Sequence, residues 1–179
     1  KGIEGSNWTQ NYFFAYQKSD GYRDHAEADK FSMSGKWFYT PDDDSYRIGL
    51  IARHYESEAQ EPGYLREEDA RHHPEMTNSF NATDKGTRRM NQVSLHFDTD
   101  LAETLAWSAK TYVNTFDDRR WTQYWSTSAQ QERDAYETQY GALTSLTWRP
   151  EISWLYDFAL EGGADIQQQQ NKSERYRTK

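Results

Sequence analysis

Apolar and polar side chains alternate every second residue in seven segments of this chain, a period that leaves room for little but β-structure. The segments run from Trp8 to Gln17, Phe31 to Tyr39, Tyr46 to Tyr55, Arg89 to Phe97, Leu105 to Phe116, Tyr136 to Trp148, and Trp154 to about Ile166. Successive side chains of a strand point to opposite faces, so each segment has one apolar and one polar face. Tyr, Phe, Trp, Val, Ile and Thr fill most of the uncharged positions, as a pleated surface prefers. No comparable window keeps the i, i+3, i+4, i+7 spacing of an amphipathic helix, so helices are expected to be few.

The connections alternate short and long. Thr40 to Ser45, Asp98 to Thr104 and Arg149 to Ser153 are short and rich in Pro, Asp and Ser, as tight turns require. Lys18 to Lys30, Glu56 to Arg88 and Asp117 to Ala135 are much longer. In an up-and-down meander, all short turns fall at one end and all long loops at the other. Outer-membrane barrels show that asymmetry.

Charge keeps to one phase. Phe31, Met33, Trp37 and Tyr39 oppose Ser32, Ser34 and Lys36; Tyr46, Ile48, Leu50 and Ala52 oppose Arg47, Gly49, Ile51 and Arg53. Val93, Leu95 and Phe97 likewise oppose Gln92, Ser94 and His96, and Trp107 and Val113 oppose Lys110 and Asn114. In the last two segments Tyr140, Leu146 and Trp148 oppose Glu137 and Gln139, and Trp154, Tyr156, Phe158 and Leu160 oppose Asp157 and Glu161. A charge facing lipid at mid-depth costs ~2–4 kcal/mol, so lipid would enforce this exclusion. A soluble β-sandwich alternates too, with its apolar face on a second sheet.

Aromatic placement separates the two. Trp37, Tyr39, Tyr46, Phe97, Trp107, Trp148 and Trp154 lie on the apolar phase beside the short turns. Trp and Tyr favour the headgroup level, whereas a sandwich buries its largest rings mid-strand. Composition agrees: mean hydropathy is −1.17, yet 16 % of residues are aromatic, too many for simple disorder. The expected fold is therefore an all-β, antiparallel, up-and-down transmembrane β-barrel, present in part. On this reading Tyr39, Trp107, Trp148 and Trp154 face outward at one height, and Leu50→Arg harms assembly far more than Gly49→Ser.

Four stretches carry a family resemblance. They are Tyr16-Gln17-Lys18-Ser19-Asp20-Gly21-Tyr22-Arg23-Asp24-His25, Glu61-Pro62-Gly63-Tyr64-Leu65, Thr87-Arg88-Arg89-Met90-Asn91 and Trp148-Arg149-Pro150-Glu151. With them the chain resembles TonB-dependent outer-membrane receptors of the iron-siderophore type, over nearly its whole length. The resemblance implies that residues 1–179 are a middle section of one barrel domain of about 22 strands, with the plug domain not present in this chain. It implies energised uptake of a ferric siderophore or similar iron complex, held in external loops without a cofactor. The implied partners are TonB, acting through that plug, and outer-membrane lipid.

Chemical motifs are sparse. Without Cys there is no thiolate metal site and no Cys nucleophile. G-x-S-x-G, HExxH and phosphate-cradling Gly loops are absent too, so no catalytic residues are expected. His72-His73 lacks metal-ligand spacing and reads as a solvated loop; Asp42-Asp43-Asp44 lacks the rest of a Ca²⁺ loop and reads as a polar turn. Neither is assigned as a metal site. The net charge of −8 supplies no basic stripe for nucleic acid. Arg119, Arg120, Trp121, Tyr124 and Trp125 are the candidate ligand-binding residues. Arg and aromatic groups together suit an anionic, aromatic-bearing chelate. The other reading puts these rings in the outer girdle and the arginines on lipopolysaccharide-like anions. Arg47, Arg53, Lys36, Lys110, Asp157 and Glu137, on the inner phase, line a transport path or hold the plug. The competing whole-chain readings are a soluble carbohydrate-binding β-sandwich and a passive porin.

Overall fold

The computed structural model describes residues 7–154 and 156–178, which form one seven-stranded antiparallel sheet in sequence order. The strands are β1 (Trp8–Ser19), β2 (Ala28–Tyr39), β3 (Tyr46–Gln60), β4 (Lys85–Ala102), β5 (Leu105–Thr122), β6 (Gln131–Trp148) and β7 (Leu160–Arg177). One short α-helix, α1 (Glu67–His72), and a 3-10 turn at Ser79–Asn81 lie in the longest connection. The all-β up-and-down expectation therefore holds, as a single sheet with no second layer among the described residues. No described residue is a buried hydrophobic one, so apolar packing between layers does not hold this sheet together. Its cohesion comes from backbone ladders and from side-chain pairs across neighbouring strands.

Several expected boundaries are corrected, and the second turn, expected at Asp98 to Thr104, shrinks to residues 103–104. The long connections shrink to 20–27, 61–84 and 123–130, because the strands continue past their apolar stretch. There charge pairs replace apolar neighbours: Arg89–Glu56 at 2.8 Å, Lys85–Glu58 at 3.1 Å and Arg88–Asp118 at 3.1 Å. Arg119, Arg120 and Trp121 consequently belong to β5, not to a loop. The third turn, in contrast, grows to residues 149–159. Trp154 to Phe158 alternates in sequence, but its described residues, Trp154 and 156–158, form no strand, and Asp157 has φ of 55°. Trp154 is thus no strand-end residue, and Asp157 lines no inner face. The seventh strand instead runs on to Arg177, paired with all 18 residues of β6.

The two faces differ as the alternation requires. Phe13, Ser34, Arg53, Gln92, Asn114 and Gln139 lie directly opposite one another across β1 to β6. All six line one hollow of about 590 Å³, so the sheet curls around the polar face. Arg53 Nη1 donates to Gln92 Oε1 at 2.9 Å, and Asn114 Nδ2 to Gln139 Oε1 at 2.8 Å. The convex face carries Ile48, Leu50, Leu95, Val113 and Leu146, all exposed.

An aromatic row borders this convex band near the turns. Ring centroids run Trp8–Tyr39 5.1 Å, Tyr39–Tyr46 6.3 Å, Tyr46–Phe97 6.1 Å and Phe97–Trp107 5.4 Å. The row is stepped. Relative to Tyr39, Tyr46 and Trp107 stand two residues nearer the turns and Trp148 stands four nearer. Four residues are ~14 Å of strand, and the four steps from β2 to β6 are ~19 Å. A level border therefore needs strands tilted by about 35°, within the range of outer-membrane barrels. At the loop end the band stops at His54, Asn91 and Thr115. His54 Nδ1 meets Asn91 Oδ1 at 2.7 Å, and Asn91 Nδ2 donates to Thr115 Oγ1 at 3.1 Å.

The Gly49→Ser substitution carries a steric cost that the alternation did not signal. A Cβ at Gly49 would overlap the Phe38 ring, which Arg47 covers from 4.1 Å. Gly49→Ser must therefore displace a packed ring, and it is no benign control. At the first turn Ser45 Oγ and N donate to Asp43 Oδ1 at 2.8 and 3.2 Å and hold that carboxyl below the usual range.

Candidate functional site

Connections 20–27, 61–84 and 123–130 meet at one end of the sheet, and a buried carboxylate joins them. Asp84, 1 % exposed, sits where 61–84 enters β4. Its Oδ2 accepts from Asn81 Nδ2 at 2.8 Å and Gln123 N at 2.9 Å, and its Oδ1 from Gln130 Nε2 at 2.8 Å. Its backbone carbonyl meets His25 Nε2 at 2.6 Å. No described cation neutralises this carboxylate; three aimed N–H donors satisfy it instead.

The quoted signature stretches also meet here. Arg23 Nη1 donates to Gly63 O at 2.7 Å, Nη2 to Pro62 O at 3.1 Å and Met76 O at 2.8 Å, and Nε to Met76 O at 3.2 Å. Gly63 has φ of 67°, and a Cβ there would strike the Asn81 side chain. Only glycine accepts both conditions easily. So Asp20-Gly21-Tyr22-Arg23 and Pro62-Gly63 act together: one supplies a guanidinium, the other the carbonyls it binds. Nothing in the two stretches read separately signals that pairing. Arg23→Ala is expected to weaken the 61–84 connection by about 2 kcal/mol, raising amide exchange there roughly 30-fold. Exchange in β4 to β6 should stay unchanged, which hydrogen-exchange mass spectrometry would check.

The five candidate ligand residues do not converge. Arg120 lies on the concave face, where its Nη2 stands 2.7 Å from Glu61 Oε2. Arg119 and Trp121 lie on the convex face with Val113, two residues apart along β5. Arg119 Nε is 3.7 Å from Asp117 and 3.9 Å from Asp134, and Trp121 packs 5.3 Å from Lys85 Nζ. Tyr124 and Trp125 occupy the 123–130 connection, Trp125 with 72 % of its surface exposed. Arg120 therefore faces the concave side, while Arg119 and Trp121 face the other way. His72 closes helix α1 rather than lying in a loop, His73 follows it, and both are exposed; no described cluster of His, Asp or Glu has metal-site geometry.

On the concave wall below, Lys36, Arg47, Arg53, Lys110 and Glu137 stand where the inner phase places them. Lys110 Nζ lies 5.9 Å from the Tyr112 ring, whose hydroxyl donates to Gln167 at 3.1 Å.

The sequence matches no known family pattern and no curated protein. Its fold does have a counterpart. The crystal structure of the unliganded ferric citrate transporter FecA superposes on 99 % of this chain with a TM-score of 0.80, at 14 % sequence identity. This chain spans 26 % of that one. The sheet thus has the fold of part of a β-barrel's wall.

Proposed function

We propose that the chain is a wall segment of an outer-membrane, TonB-dependent receptor that takes up a ferric siderophore or similar iron complex. The observation that supports it best is the convex apolar band, exposed, aromatic-bordered and stepped at a barrel's tilt, over a polar concave wall. Such a surface is stable when lipid covers it, and the concave wall then lines a lumen. The iron complex comes from the family resemblance and the likeness to FecA. Ligand meets the mouth at Arg120, Tyr124 and Trp125, with Arg119 and Trp121 the less favoured pair. TonB acts through a plug outside this chain.

The test is uptake of ⁵⁵Fe by intact cells with and without the gene, offered as citrate, catecholate and hydroxamate complexes. Loss of uptake of one complex on deletion, and its collapse when the proton gradient is dissipated, is the expected result. Gradient-independent uptake would indicate a passive pore. A protein found in the soluble fraction would restore the carbohydrate-binding reading.

A further inference from the structure

At the loop end of the concave face the register sets three arginines side by side. Arg120 on β5 lies directly opposite Arg133 on β6, which lies directly opposite Arg175 on β7. Arg177 follows two residues on, opposite Gln131. Direct cross-strand neighbours hold their Cβ atoms ~4.5–5.5 Å apart, and like charges so placed repel. Only Arg120 is compensated, by Glu61; Arg133 and Arg175 make no ion pair among the described residues. The carboxylates next to them in sequence, Glu132, Asp134 and Glu174, are on the convex face by strand alternation. In a chain of net charge −8, this is a local excess of fixed positive charge.

The opposite half of the same row is small. Ala28, Ala59 and Gly86 lie opposite one another on β2, β3 and β4, and Gly86 lies opposite Arg120. Over Gly86 the nearest side chain is that of Glu61, the partner of Arg120, and the rest of this half of the row is made of small side chains. The 123–130 connection, carrying Tyr124 and Trp125, joins the two strands that hold Arg120 and Arg133.

The geometry points to an anion-binding ladder in which Arg133 and Arg175, with Arg120, hold a small molecule bearing several carboxylates. Planar guanidiniums bind carboxylates through two parallel hydrogen bonds, and a polycarboxylate relieves the repulsion along the row. This deepens the transport proposal by assigning its substrate class, and rests on the loop end being the ligand mouth. A neutral chelate would leave the row uncompensated.

The test uses the full-length receptor and three probes: citrate alone, ferric citrate, and a neutral ferric trihydroxamate. Arg133→Ala with Arg175→Ala should lower affinity for both citrate probes at least about tenfold at low salt, and flatten the salt dependence. Arg133→Lys with Arg175→Lys, which keeps the charge and the fold but loses the fork, should fall between. Lys172→Ala, on the convex face opposite Tyr136, should leave citrate affinity unchanged. Unchanged citrate affinity in the double Ala variant overturns the ladder, as does a receptor that binds only the neutral probe or no probe. Arginine-dependent citrate binding without energised iron uptake upholds the ladder and defeats the transport reading.

Discussion

Leu50→Arg should prevent most of the protein from assembling in lipid, while Ile51→Arg, one residue along, should leave assembly nearly intact. Leu50 lies on the convex face between Trp37 and Leu95, inside the apolar band. A lipid-facing Arg at mid-depth costs ~2–4 kcal/mol, a factor of about 30 to 1000 in the folding equilibrium. Ile51 lies on the concave face between Lys36 and Ser94. A cation there meets a like charge across the strand pair and costs under ~1 kcal/mol. Urea titration of the full-length protein in lipid vesicles checks both. Equal losses would mean that the two faces meet the same medium.

Asp84→Ala should loosen two loops at once. It leaves the Gln123 N–H and one N–H each of the Asn81 and Gln130 amides without an acceptor, although those amides keep Gln123 O and Thr83 Oγ1. A buried donor left unpaired costs ~1–3 kcal/mol, so the joined connections should lose about 3–6 kcal/mol of local stability. Asp84→Asn keeps the shape but turns an N–H₂ toward a donor, and should lose less. Amide exchange read over 61–84 and 123–130 gives the answer. Both connections should lose protection together, with the apolar band unaffected. A response confined to 61–84 would show that Asp84 does not join the loops.

The apolar stretch of the sheet was legible in the sequence because exposure there has one cause on each face. Ile48, Leu50, Val93 and Leu95 against Arg47, Arg53 and Gln92 is a two-phase pattern that needs no tertiary knowledge. Beyond it the pattern fades. Glu56, Glu58, Lys85 and Arg89 are polar although they lie on the same convex face, since charge pairing replaces apolar contact there. Residues 167–173 of β7, glutamine-rich on both faces, gave no alternation to read, whereas Trp154 to Phe158 alternated although its described residues pair with no strand. Strand pairing is decided by the backbone of β6, which hydrophobicity does not report. The mouth was less legible still. Arg119 and Arg120 are adjacent in sequence and therefore on opposite faces, while Arg120, Arg133 and Arg175 are far apart and become neighbours only through register. The contacts from Arg23 to Pro62, Gly63 and Met76 span 39 to 53 residues, and no local signal announces them.

The most direct test labels residues 46 to 55 of β3 one at a time with a nitroxide in the full-length protein reconstituted in lipid. Collisions with oxygen, which concentrates in lipid, and with a water-soluble nickel chelate then report the medium at each position. The account predicts a two-residue period in opposite phase for the two reagents. Positions 48, 50 and 52 should favour oxygen, while 51 and 53 favour the chelate, with the change to water at position 54. Oxygen access without that period, or with its phase reversed, would contradict the assignment of the convex face to lipid.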